Sequence, residues 1–129
     1  ISRDVLEDRK NNRFYIPANF ESIKETLKTA DLFYISSFSS IKEIPFSFRF
    51  AILVARRVYR KIGYNILNKK NMDNYNESKK IYTNNFSKTI QTVLSISDLI
   101  KLFFIKTGNH QRYNEHSIIN ETIDLNERF

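Results

Sequence analysis

Residues 46–67 read FSFRFAILVARRVYRKIGYNIL. Phe48, Ile52, Ala55, Tyr59, Ile62 and Ile66 recur at alternating spacings of four and three, which places them on one face of a helix. The spacing predicts a long amphipathic helix across the whole stretch. Arg56 with Arg60, and Arg57 with Lys61, form two four-residue basic pairs flanking that apolar stripe. Such pairs read as a solvated face, with contact to an anionic membrane as the alternative.

Pro45 marks where this helix begins, since proline suits a first turn and disfavours helical geometry at the preceding Ile44. Upstream, Ile23, Leu27, Ala30, Tyr34 and Ile41 keep a rough helical period from about Phe20 to Ile41. Ser36, Ser37, Ser39 and Ser40 weaken it, because serine favours caps and turns. Downstream, NKKNMDNYNESKK (68–80) reads as a polar connection and residues 84–106 as a last amphipathic helix. Leu102, Phe103, Phe104 and Ile105 stand in a row there and are assigned to the core, with a membrane-facing patch as the alternative. Residues 1–9 read as the last turns of another helix. Residues 107–129 form a polar, aperiodic tail, expected to be disordered or loosely docked.

Composition agrees with this all-α reading. The 129 residues include only 2 glycines and 2 prolines, leaving few places to turn. Cysteine is absent, which removes disulfides, thiol nucleophiles and cysteine-zinc sites together. The 14% aromatic content, all Phe and Tyr, suits a core or cavity built with rings. A formal net charge of +7 favours polyanionic partners: nucleic acid, an acidic membrane or phosphorylated ligands. No nucleic-acid motif supports the first of these. No apolar run approaches the roughly 18 residues of a membrane span. His110 and His116 lie in the polar tail without a second ligand at metal spacing, and no nucleophile elbow is present. The chain opens on Ile1 rather than Met, so its first residue reads as a cut end.

Within the opening stretch ISRDVLEDRKNNRFYIP, Asp4 and Asp8 are four apart. On a helix both carboxylates would point the same way, at a cost of roughly 0.2–0.5 kcal/mol. One reading is a solvated helix end neutralised by Arg3, Arg9 and Lys10. The other is a magnesium site, because Mg2+ takes a few carboxylate oxygens together with waters and substrate phosphates.

The order R-D-x-x-E-D, a short polar loop, then R-x-Y-x-P stands here as Arg3, Asp4, Glu7, Asp8, Arg13, Tyr15 and Pro17. It resembles the second aspartate-rich signature of the squalene and phytoene synthase family. Residues 30–67 resemble the family's later helix pair, with Ala55 and Tyr59 in its Ala-x-x-x-Tyr element, and SKKIYTNNFSK (78–88) is similar to its basic C-terminal segment. The likeness covers about residues 1–95, and the phytoene and dehydrosqualene branch is nearest because FYIP lacks the tryptophan of eukaryotic squalene synthases.

The resemblance implies the C-terminal portion of a class I isoprenoid synthase: an all-helical fold over residues 1–106 and a cavity where two prenyl diphosphates join head to head. Asp4 and Asp8 match the magnesium-binding aspartates, and Arg3 matches a diphosphate contact. Tyr59 matches a tyrosine near the diphosphate, with a satisfied core tyrosine as the alternative. Lys80 falls where the family shows arginine, after a connection a few residues longer than usual. Mg2+ is the implied cofactor, and the implied location is cytoplasmic, with peripheral membrane contact. The implied activity is phytoene synthase, with squalene or dehydrosqualene synthase, or a noncatalytic assembly-factor relative, as alternatives.

There are departures. Asn12 stands where glycine is common, Pro17 to Pro45 is short, and the first aspartate-rich motif is not in this stretch. The 129-residue piece alone is therefore expected to be inactive and unstable.

Overall fold

The computed structural model describes residues 2–78 and 81–106. All regular structure among them is helical: α1 Val5–Lys10, α2 Phe20–Ser36, a 3-10 turn Ser39–Glu43, α3 Phe46–Leu67, α4 Met72–Glu77 and α5 Asn85–Phe104. The all-α expectation holds. The helix read from residues 46–67 is α3, residue for residue. Ile44 is extended ahead of it (ψ 145°), as a residue before proline should be, and Pro45 itself is not yet helical (ψ 137°).

Asparagine starts three of the five helices. The side chains of Asn19, Asn71 and Asn84 accept from the backbone N–H groups of Ser22, Asn74 and Ser87 at 2.8, 2.9 and 2.8 Å, each satisfying a donor that has no intrahelical partner. The turns between helices use the same residue type. Asn12 has φ 55° and turns the chain after α1; asparagine is one of the few side chains that tolerates this left-handed conformation. Lys70, just ahead of the α4 cap, has φ 68° and tolerates it less well.

Several boundaries differ from expectation. The segment from Phe20 does not continue to Ile41; α2 ends at Ser36, whose hydroxyl bonds the Phe33 carbonyl at 3.2 Å, and the chain tightens into the 3-10 turn. Serine's competition for backbone carbonyls explains the break. Helix α1 begins only at Val5, with Asp4 at its cap position. The connection 68–80 contains α4, because the Asn71 cap and burial of Tyr75 fix a turn that polarity alone does not reveal. The tail 107–129, with His110 and His116, lies outside the described residues.

Two apolar clusters hold the bundle. One joins Val5, Ile23, Ile66, Tyr75 and Ile81, tying α1, α2, α4 and the C-terminal end of α3. The other joins Ile41, Leu53 and Leu102, tying the 3-10 turn to α3 and α5. Gly63 of α3 faces Leu27 of α2, where a Cβ would meet Leu27 Cδ2 at 3.4 Å, an ordinary van der Waals contact.

The expected α3 stripe is therefore split. Ile62 and Ile66 enter the first cluster and Ile52 packs on the second, whereas Phe48, Ala55 and Tyr59 face outward. A helix wedged between different partners at its two ends buries a face that rotates along its length, so one stripe could not describe it. In the same way, Leu102 is core while Phe103 and Phe104 are exposed. No helix of the described residues is long and apolar enough to cross a membrane.

Candidate functional site

The opening signature folds back on itself. Arg3 Nε donates to both carboxylate oxygens of Asp4 at 3.0 and 3.1 Å, and its Nη2 donates to Oδ2 at 2.9 Å. This bonding, more than the simple Coulomb attraction, raises the Arg3 pKa above the ordinary guanidinium value. Asp8 faces Arg13, whose Nη1 is 4.0 Å from Oδ1. The turn at Asn12 makes that approach, with the Arg13 N–H donating to the Asp8 carbonyl at 2.8 Å. Asp8, Arg13 and Tyr15 then line one shallow recess, so the R-x-Y segment is laid against the second aspartate.

Tyr75 fixes this end of the molecule. Its buried hydroxyl reaches the carbonyls of Ser2 and Arg3 at 3.1 and 2.9 Å, more than 70 positions away in sequence. Burial raises the Tyr75 pKa, opposed by the Val5 backbone N–H and reinforced by the charges of Asp4 and Asp8. Arg3, Asp4 and Asp8 lie together at one end of the bundle, whereas Tyr59 on α3 lines a separate recess with Asp31, Tyr34 and Arg60. Lys80 lies outside the described residues.

The two aspartates do not share a pocket. Asp4, with Arg3, Glu7, Lys10 and Tyr75, lines a cleft of about 330 Å³; Asp8 lines the neighbouring recess. The expected parallel carboxylates are turned apart by their arginines, because Asp4 precedes the helix and its side chain follows Arg3. Local neutralisation also differs from expectation: Arg13 serves Asp8, while Arg9 stands over the Phe14 ring at 5.9 Å.

No group of three or more Asp, Glu or His among the described residues forms a self-sufficient metal cage. Asp4 and Asp8 supply the hard carboxylate oxygens that Mg2+ takes together with water and substrate phosphate, and each would have to turn from its arginine to share one ion. Tyr59 is 61% exposed, so its hydroxyl carries no burial cost and is open to a ligand. The core-tyrosine alternative does not describe it.

A second site was misread in the sequence. Arg56, Arg57 and Arg60 are not a solvated face; Arg56 is only 11% exposed. Arg57 clasps the buried Asp98 of α5 at 2.6 and 2.8 Å, and Arg60 clasps Asp31 of α2 at 2.6 and 3.0 Å. Arg56 donates to the Tyr34 carbonyl at 2.9 Å, satisfying the last turn of α2, and lies over the Phe38 ring at 4.8 Å. With Lys61 and Lys101 these arginines line a cleft of about 470 Å³. The available signal was Asp98, a lone acid in the apolar run SISDLIKLFF, which needs a cation from another element if it faces inward.

Compared with protein-family models, curated proteins and solved structures, the chain matches none.

Proposed function

We propose that the chain is the C-terminal helical part of a squalene and phytoene synthase family enzyme, most like bacterial phytoene synthase. In this reading the full-length protein joins two geranylgeranyl diphosphates head to head through a cyclopropyl diphosphate intermediate, in carotenoid biosynthesis. It works in the cytoplasm, in peripheral contact with the membrane that receives its product. The observation that supports the proposal is the order of Arg3, Asp4, Glu7, Asp8, Arg13, Tyr15 and Pro17 in the sequence, with the Arg13–Tyr15 segment folded back against Asp8.

The roles follow from the side chains. Asp4 and Asp8 would hold Mg2+, which when bound supplies Lewis-acid neutralisation of diphosphate charge. Arg3 holds Asp4 through its Nε and Nη2 donors, so in this reading the diphosphate meets the Nη1 side of the guanidinium. The exposed Tyr59 hydroxyl donates to the same diphosphate. Phe48 and Tyr59, on the outward stripe of α3, contribute ring surface to a cavity from which water is excluded, protecting allylic cations. The rest of that cavity belongs to the full-length protein.

Incubating the full-length protein with Mg2+ and either geranylgeranyl or farnesyl diphosphate tests the reading. A colourless C40 product supports it. A C30 product keeps the family and changes the substrate to that of a squalene or dehydrosqualene synthase. A folded protein yielding no product from either would point instead to a noncatalytic relative.

A further inference from the structure

The cleft between α3 and α5 carries more positive charge than its acids balance. Arg56, Arg57, Arg60, Lys61 and Lys101 line it together with one carboxylate, that of Asp98. Counting Asp31, which pairs with Arg60 from α2, three positive charges remain in excess. Asp98 cannot balance them all, because it carries a single negative charge and Arg57 already holds both of its oxygens at 2.6 and 2.8 Å. Arg56 reaches Asp98 only at 3.9 Å, beyond hydrogen-bond distance. Among the described residues, neither Lys61 nor Lys101 has an ion-pair partner.

These cations are also held in place. The Phe38 ring and the Tyr34 carbonyl fix the Arg56 guanidinium, and Asp31 and the Tyr64 hydroxyl fix that of Arg60. Gln91, on α5, adds an amide to the lining. Burial first, and then the Arg60 charge, lower the Arg56 pKa against the pull of Asp98. A largely buried cation in that position is relieved by an anion. Forked guanidiniums with flanking ammonium groups fit a multiply charged tetrahedral oxyanion better than a single carboxylate.

We propose that the Arg56–Arg60–Lys61–Lys101 cleft is a binding site for a phosphate group, separate from the aspartate end and lined by none of its residues. The phosphate comes either from a small soluble ligand or from a lipid headgroup. The exposed Leu94 at the cleft and Ile90 one turn before it on α5 suit the second source as neighbours of an acyl chain.

The test needs no prenyl chain and no magnesium, so its failure is separable from failure of the proposed activity. Inorganic phosphate and inorganic diphosphate are titrated calorimetrically into the full chain at fixed ionic strength, in parallel with sedimentation on phosphatidylcholine vesicles containing phosphatidic acid. The expected result is saturable binding of a phosphate probe, weakened about tenfold or more in the Lys61→Gln/Lys101→Gln double variant. That variant leaves the Asp98 and Asp31 pairs intact, and Lys101→Gln alone, at an exposed position, should weaken binding by a smaller factor with an unchanged melting curve. Asp4→Ala should bind as the unmutated chain does. Binding of the free anions alone assigns a soluble ligand; vesicle binding lost in the double variant assigns a lipid headgroup. The proposal is overturned if no probe binds saturably, if the double variant binds equally well, or if Asp4→Ala abolishes binding.

Discussion

Arg57 and Asp98, 41 positions apart, form a two-pronged ion pair that joins the middle of α3 to α5, with the carboxylate only 5% exposed. Removing one partner of a buried pair strands the other charge in a poorly solvated place. Asp98→Ala is therefore expected to lower unfolding free energy by about 3–5 kcal/mol. Urea denaturation measures it, and adding Arg57→Ala to Asp98→Ala should cost less than Arg57→Ala costs alone, because the pair has already been lost.

Tyr75 anchors α1 through the Ser2 and Arg3 carbonyls, and Tyr75→Phe removes those bonds at a cost of about 1 kcal/mol. The substitution also changes the alkaline limb. Burial raises the Tyr75 pKa in the folded state, so its contribution is fully present below the unfolded tyrosine value of about 10 and is lost as pH rises through the higher folded value. Tyr34 shifts in the same direction, also through burial. Denaturation midpoints measured between neutral pH and pH 11 should fall less steeply above pH 10 in Tyr75→Phe than in the unmutated chain.

Lys70 holds φ 68° without the side-chain bonding that lets asparagine tolerate this region. Lys70→Gly should stabilise the chain by up to about 1 kcal/mol, whereas Asn12→Ala should destabilise it by about 1 kcal/mol. Thermal melts of the two variants should therefore shift in opposite directions.

Core and surface assignments on the apolar helices differ enough to separate by truncation. Leu53 is 0% exposed, and Leu53→Ala should cost about 2–5 kcal/mol. Phe104 is 82% exposed, and Phe104→Ala should change stability by no more than about 0.5 kcal/mol. Equal losses would show that α5 is covered where it is described as open.

The fold was legible wherever one residue type did one job. Helix α3 could be read to the residue because its apolar and basic positions recur over many turns and Pro45 fixes its start. Helix α4 was hidden, since six residues are too few for a period and what holds them is Tyr75 reaching the opposite end of the chain. The clustering of Arg3, Asp4 and Asp8 was local and readable, but the direction of each carboxylate depended on Arg3 and on the turn at Asn12. The arginine cleft stayed unread because the acids that draw Arg57 and Arg60 inward lie on other helices, 41 and 29 positions away. Periodicity within one helix carries no record of them.

The most direct measurement is product formation by the full-length protein from geranylgeranyl diphosphate and Mg2+, comparing the unmutated chain with Asp4→Ala and Asp8→Ala. The account predicts a C40 hydrocarbon from the unmutated protein and a rate lowered on the order of a hundredfold or more in each variant, with folding retained. Variants as active as the unmutated protein, or a folded unmutated protein that yields no product, would contradict it.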